Sequence, residues 1–286
     1  MNLHPHQSAA LEKALHHPFK AVAFDMDGTL TKLSRFLIPG ELSQTLTEIP
    51  PHIPRALCTG RPLEYIHTQL TLICSHATDP AAEHARWWIF AENGGIGYRW
   101  NPRKKEYTPF YEIPWPSEKV TQDALEAFIK DRLGWMVTVR IRPYSMVVRY
   151  PNWVYFFPRL TRAISRHTYK RLHRLLEDMN LHHDFSVQDS GIGNILLPKE
   201  SGKGHAMVRW AKELGIPLHD LLVVGDQPRP GENDEDFLSG HHGTSFTVGT
   251  LTENIYPLPV LDHRGTHLKG PTGTATLLKR VEWGKD

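Results

Sequence analysis

The sequence predicts an α/β protein: a parallel, Rossmann-like core sheet flanked by helices, with an α+β cap domain inserted into it. Three observations lead there. Short apolar runs alternate with helical patterns in the first and last thirds of the chain. Several of those runs end in acidic, hydroxyl or glycine residues. The middle third changes character, to alternating segments and one long basic helix. Strands separated by helices imply a parallel sheet covered on both faces. The division expected is 1–102 and 198–286 for the core and 103–197 for the cap.

The elements follow in order. "KAVAF" (20–24) reads as a short buried strand. "PRALCTG" (54–60) is a second, and "RPLEYIHTQLTLICSH" after it has a helical pattern. "RWWIFAENGG" (86–95) is a third strand, closed by a glycine turn. In the cap, "WMVTVRIRP" (135–143) alternates, with Val137, Val139 and Ile141 on one face and Thr138, Arg140 and Arg142 on the other. "PRLTRAISRHTYKRLHRLLEDM" (158–179) places Leu160, Ile164, Leu172, Leu175, Leu176 and Met179 at helical spacing. Arg162, Arg166, Lys170 and Arg174 line another face of that helix, an ordinary solvated one. "DFSVQDSGIGNILLP" suggests two strands around a Ser190-Gly191 turn. Back in the core, "HAMVRWAKELGI" (205–216) is a helix stopped by Gly215. "LLVVGD" (221–226) and "SFTVG" (245–249) are the last two buried strands.

Composition narrows the function. The chain has 286 residues, 40% hydrophobic and 22% charged, enough for one large domain or two modest ones. Lys+Arg 33 against Asp+Glu 31 leaves a net charge of +2, which gives no reason to expect a nucleic-acid partner. The 18 histidines are scattered or paired, as in His16-His17 and His182-His183, and no HExxH occurs. Cys58 and Cys74 form neither a CxxC pair nor a disulfide framework, so zinc is not expected and a reducing cytoplasm fits. The stretch "MNLHPHQSAALEKALHH" lacks an apolar core of signal-peptide length, and no apolar run is long enough to span a membrane. Nothing in the sequence sets an oligomeric state.

In open parallel sheets, ligands bind beyond the carboxyl ends of the strands. Asp25 and Asp27 follow the first strand, Thr59 the second, and Gly225-Asp226 the fourth. A buried strand end is a poor place for several unpaired carboxylates. A cation would resolve that cost.

"DMDGT" (25–29) matches the DxDGT signature of the haloacid dehalogenase superfamily, whose members mostly transfer phosphoryl groups. The resemblance covers most of the chain and all four family motifs in order: "DMDGT", Thr59 of "CTGRP", Lys203 of "SGKGHAM", and Asp226, Asn233 and Asp234 of "GDQPRPGENDEDF". The insertion between motifs two and three, with "ENGG" (92–95), resembles the type with an α/β cap at that position. "GDQPRPGENDEDF", "DMDGTLT" and "FAENGGIGY" are similar to the phosphomannomutase and sugar-phosphate phosphatase branch. The resemblance implies a Mg²⁺-dependent phosphohydrolase acting on a small phosphorylated molecule, a sugar or polyol phosphate, with the cap selecting the substrate.

Chemistry assigns roles to these residues. A phosphate monoester is dianionic, so a carboxylate nucleophile needs a cation beside it, and Mg²⁺ suits carboxylate, water and phosphate oxygens. Asp25 is the expected nucleophile, forming an aspartyl-phosphate. Asp27 protonates the leaving oxygen and then activates water. Gly28 lets the chain turn so that both carboxylates face one site. Thr59 binds a phosphoryl oxygen, with Gly60 beside it in the phosphate loop, and Lys203 neutralises developing charge. Asp226 holds Mg²⁺ with Asp25 and the backbone carbonyl of Asp27. Asn233 and Asp234 order the loop, and Asp234 reaches the metal through water.

Taken singly, each motif has a plainer reading. A lone DxDG is a turn with local Asx hydrogen bonds, Thr59 a helix cap, Lys203 a surface lysine and "GENDEDF" an acidic helix start. None of these predicts the order of the motifs or their placement at strand ends. Arg140 and Arg142 stand evenly between a solvated sheet face and a grip on the substrate, and His241-His242 receives no role. Two other functions stay open: a hexose phosphomutase, and a phospho-ligand binding module without catalysis. The intact Asp25, Asp27, Lys203 and Asp226 speak against the second.

Overall fold

The computed structural model describes residues 5–32 and 37–285; the first four residues of the N-terminal stretch read above lie outside them. The chain forms two compact units, one of residues 1–111, 203–229 and 234–286, the other of 112–202 and 230–233. The first unit opens with α1 (Pro5–Leu15), β1 (Pro18–Phe19), β2 (Ala21–Phe24), α2 (Gly40–Thr47), β3 (Arg55–Cys58) and α3 (Leu63–Cys74). It continues with α4 (Pro80–His84), β4 (Trp87–Ala91), β5 (Ile96–Asn101) and β6 (Glu106–Glu112). The second unit holds α5 (Gln122–Leu133), β7 (Thr138–Ile141), β8 (Met146–Arg149), α6 (Pro158–Asp178), β9 (Phe185–Asp189) and β10 (Asn194–Pro198). The first unit then resumes with α7 (Lys203–Leu214), β11 (Leu221–Gly225), β12 (Thr244–Thr247), β13 (Leu258–Pro259), α8 (Gly270–Leu278) and β14 (Glu282–Trp283). No helix among the described residues is long and apolar enough to cross a membrane.

The core sheet has eight strands in the order β13-β12-β11-β2-β3-β4-β5-β6. From β13 to β4 every pairing is parallel, with Val22 opposite Arg55 and Leu222 opposite Val22. Every residue of β2, β3 and β11 is buried, as befits strands covered on both faces. β5 returns antiparallel against β4, pairing Ala91 with Ile96, and β6 forms the sheet edge.

That hairpin moves the boundary of the core. The sequence pattern assigns the segment from 103 to the cap, but residues up to 111 belong to the first unit. The Asn101 side chain accepts from the N–H groups of Arg103 and Lys104, and Lys105 takes a left-handed φ of 54°, so the chain turns straight back. Phe110 then packs edge-on against Trp88, ring centroids 5.0 Å apart. At the other junction the second unit runs on to Gly202, past the expected end at 197.

The second unit is an antiparallel sheet, β7-β8-β10-β9, with its own apolar core. Leu125 and Ile129 of α5 and Leu172, Leu175 and Leu176 of α6 meet Met146, Val148, Phe185 and Leu196 there. Helical spacing puts Leu160 inside, yet it is exposed. The inner face of that end of α6 is hydroxylated instead: Thr161, Ser165 and Thr168 are buried, and Thr161 donates to the Val154 carbonyl. Ile141, expected inside with Val137 and Val139, is also exposed, because it closes β7 at a sheet edge. The alternation does not predict β8. Residues 230–233, counted with the core from sequence, join this unit: Asp189 N–H donates to the Gly231 carbonyl and Asn233 N–H to the Asp189 carbonyl.

Candidate active site

Three strand ends of the core unit meet at one place. Asp25 directly follows β2, and its N–H continues the ladder to the Val224 carbonyl of β11 at 2.8 Å. This sets Asp25 beside the Gly225-Asp226 end of β11. Beyond Asp25 the chain turns tightly, as the Met26 carbonyl accepts from the N–H groups of Leu30 and Thr31. Gly28 takes a φ of 89°, and a β-carbon there would collide with the Asp226 carboxylate. Glycine is needed on both counts.

Lys203 opens α7 and is buried. Its Nζ donates to Asp25 Oδ1 at 2.5 Å and to Asp234 Oδ1 at 2.6 Å. The second oxygen of Asp234 accepts from the N–H groups of Asp226 and Gln227, both at 3.2 Å. The Phe237 ring centroid lies 5.7 Å from the ammonium. Asp25, Asp226 and Asp234 are all buried, and each brings one carboxylate oxygen to within 4.8 Å of the other two. The three carboxylates are accompanied by one ammonium, which bonds Asp25 and Asp234, so the cluster has a surplus of two negative charges when all are ionised.

The protonation equilibria express that surplus. Burial pushes the Asp25 carboxyl up to about 7; Lys203 opposes the shift, and Asp234 and Asp27 add to it. For Lys203, burial works against the charged form, but Asp234 and Asp25 outweigh it and hold the ammonium above the ordinary lysine value. Burial raises the neighbouring Cys58 thiol, so that sulfur is not a nucleophile.

The donor set fits a hard divalent cation. All three side chains offer oxygen, they converge within one pocket of buried charge, and a cation would cancel the surplus. Asp234 stands in the trio with its own carboxylate, whereas the sequence motif implies a water-mediated place for it.

The other expected residues lie around this cluster or apart from it. Thr59 follows β3, is buried, and its Oγ1 accepts from the Arg61 N–H at 3.3 Å. Gly60 leaves room for the Asn93 amide, which would stand 3.1 Å from a β-carbon there. The Asp27 carboxylate is outside the acidic trio. It takes a two-pronged ion pair from Arg61, Nε to Oδ2 at 2.9 Å and Nη2 to Oδ1 at 3.1 Å. Asn233 belongs to the second unit. So do Arg140, exposed on β7, and Arg142, which sits in the turn after that strand and donates its N–H to the Ser145 carbonyl. Sequence reasoning misses Arg61. It stands in the quoted "CTGRP", but its partner is 34 residues away, and no local pattern links them.

No family model matches the chain. The chain is 24% identical to phosphoglycolate phosphatase of Methanobrevibacter smithii over 235 residues, covering 82% of this chain and 87% of that one. Its fold is similar to that of an IMP-bound mutant of Plasmodium falciparum IMP-nucleotidase, with a TM-score of 0.68, 12% identity, and coverage of 96% of this chain and 69% of that one. It is also similar to a haloacid dehalogenase-like hydrolase from Bacteroides thetaiotaomicron, with a TM-score of 0.61, 15% identity, and coverage of 92% and 99%.

Proposed function

We propose that the chain, which has the fold and the four ordered motifs of the haloacid dehalogenase superfamily, is a phosphohydrolase that cleaves a small phosphate monoester, a sugar phosphate, through an aspartyl-phosphate on Asp25. The observation that carries this reading is the Lys203 ammonium held between Asp25 and Asp234 inside a buried, over-acidic cluster at the strand ends. Buried like charges cost stability, and groups held at that cost cluster at functional sites.

An Asp25 oxygen attacks phosphorus, and the bond from phosphorus to the ester oxygen breaks. The leaving oxygen takes a proton from Asp27. Water then attacks the same phosphorus, giving a proton to the Asp27 carboxylate, and the Asp25–phosphorus bond breaks to release inorganic phosphate. Lys203 favours the anionic form of Asp25 and faces the charge that develops on the phosphoryl oxygens. Thr59 donates its hydroxyl to one of those oxygens. Asp25, Asp226 and Asp234 would hold Mg²⁺, and the ion would supply positive charge to offset the repulsion between a carboxylate and a phosphate dianion. The second unit is the cap that selects the substrate, and Arg140 and Arg142 are its phosphate- or hydroxyl-gripping candidates. Both cysteines are free and buried, which suits a reducing cytoplasm.

The test is phosphate release from a panel of sugar phosphates with Mg²⁺, with and without a hexose bisphosphate. Steady release without the bisphosphate is expected. Interconversion of hexose 1- and 6-phosphates only when it is added, with no phosphate released, overturns the hydrolase reading in favour of a mutase.

A further inference from the structure

Asp27 has a demanding task in the reaction just proposed: one carboxyl must give a proton to the leaving oxygen and later take one from water. Its side chain is 31% exposed, and the next residue is glycine. The turn around it is closed through backbone groups, with Gly28 N–H donating to the Thr31 carbonyl at 3.0 Å, which leaves the carboxylate to be oriented from elsewhere. The guanidinium of Arg61 does this, engaging both oxygens at once. A planar fork against a planar carboxylate fixes orientation as well as distance.

Arg61 is itself well anchored. It lies between the end of β3 and the start of α3. Its carbonyl accepts from the Glu92 N–H at 3.3 Å, and its N–H is given to Thr59 Oγ1. Its guanidinium lies 4.7 Å from the centroid of the Tyr65 ring. The anchor, the fork and the carboxylate thus form one chain from the phosphate-binding threonine to the acid–base group.

We infer that Arg61 is a positioning residue for Asp27, holding the acid–base carboxyl in register with Asp25, an inference that rests on the phosphohydrolase reading above. Both Asp27 oxygens are engaged, Nε to Oδ2 and Nη2 to Oδ1, so the fork fixes the plane of the carboxyl as well as its place. Supports of this kind hold a reacting group within the narrow limits that catalysis needs.

The test compares two esters that differ in their need for a proton. An alkyl phosphate from the substrate panel leaves as a strongly basic alkoxide, whereas p-nitrophenyl phosphate leaves as a stable phenolate. In Arg61→Ala, kcat/KM for the alkyl ester is expected to fall by about 10- to 100-fold, part of what acid–base assistance contributes. For p-nitrophenyl phosphate the fall stays within about threefold. Arg61→Ala added to Asp27→Asn brings no further loss, because residues that act through one another are not additive. Arg61→Lys, with charge but no fork, recovers part of the alkyl-ester activity. A crystal structure of Arg61→Ala shows the Asp27 carboxylate displaced. Equal losses for both esters, an additive loss in the double variant, or an unmoved Asp27 carboxylate overturns the inference. Wild-type protein that hydrolyses neither ester sinks the hydrolase reading alone, and the crystal structure then decides the role of Arg61.

Discussion

Two buried ionic clusters stand at opposite ends of the same parallel sheet, and their charge balance separates structure from function. At the amino end, Arg55 opens β3 and is fully buried. It pairs with Glu83 and donates to the Ile49 carbonyl. Glu83 also accepts from Trp87 Nε1 at 3.0 Å and from Arg86 at 2.7 Å. Burial lowers the Arg55 pKa and Glu83 opposes the shift. The fully buried pair there, Arg55 and Glu83, is balanced one to one, and the second guanidinium, Arg86, reaches solvent. At the carboxyl end, three carboxylates converge and one lysine bonds two of them, Asp25 and Asp234. Both clusters are buried, so burial does not mark a site. An uncompensated sign does, because it has to be met by a proton, as the raised Asp25 carboxyl shows, or by a further cation.

The largest expected effect tests the open cluster. Asp25→Asn keeps the shape and removes the nucleophile, so turnover should fall on the order of 10⁴-fold or more, with the thermal transition retained. Phosphate release near the wild-type rate from a clean preparation would break the covalent reading. The closed cluster should respond in the opposite way. Glu83→Ala leaves Arg55 buried without its partner and should destabilise the protein by about 3–5 kcal/mol in urea unfolding, with kcat of the folded protein unchanged. A loss of kcat without a loss of stability would erase the distinction between the two ends.

Metal removal sharpens the same contrast. Chelation should abolish activity, and Mg²⁺ should restore it. Mg²⁺ at about 100 times its dissociation constant should add about 2.7 kcal/mol of stability to the wild type and much less to Asp226→Asn. Full activity after exhaustive chelation counts against the ion. A smaller effect, away from the open cluster, is read by pH. His84, between Trp100 and His67, has its pKa lowered by burial, and so does His267. Below about pH 6.5 the unfolded chain therefore binds more protons than the folded one, and these two residues make stability fall as pH falls. The drop in Tm between about pH 7.5 and 5.5 should shrink in His84→Gln and in His267→Gln, and an unchanged drop refutes the sign. The smallest effect concerns the second unit. Arg140→Ala and Arg142→Ala should each raise KM several-fold with kcat nearly constant, the pattern of lost ground-state binding. A matching fall in kcat would instead move them toward the chemistry.

The four motifs are legible because the chemistry dictates residue types and parallel strands dictate where they stand. "AVAF" followed by "DMDG" reads as a buried strand delivering carboxylates to a sheet end. The roles of individual members are less legible. Asn233 and Asp234 are neighbours in sequence, yet the backbone of one joins the antiparallel unit while the carboxylate of the other enters the acidic trio. Leu160 keeps helical spacing and still lies outside, since hydroxyls line that end of α6.

The sequence by itself determined the alternating α/β core, the inserted second unit and the carboxylates and lysine that meet at the strand ends, because periodicity and side-chain chemistry are local properties. Tertiary structure alone decided which charges are balanced. Glu83 reaches Arg55 across 28 residues, Arg61 reaches Asp27 across 34, and Lys203 reaches Asp25 across 178. Electrostatic interaction depends on distance through space and on burial, neither of which is written in the order of the residues.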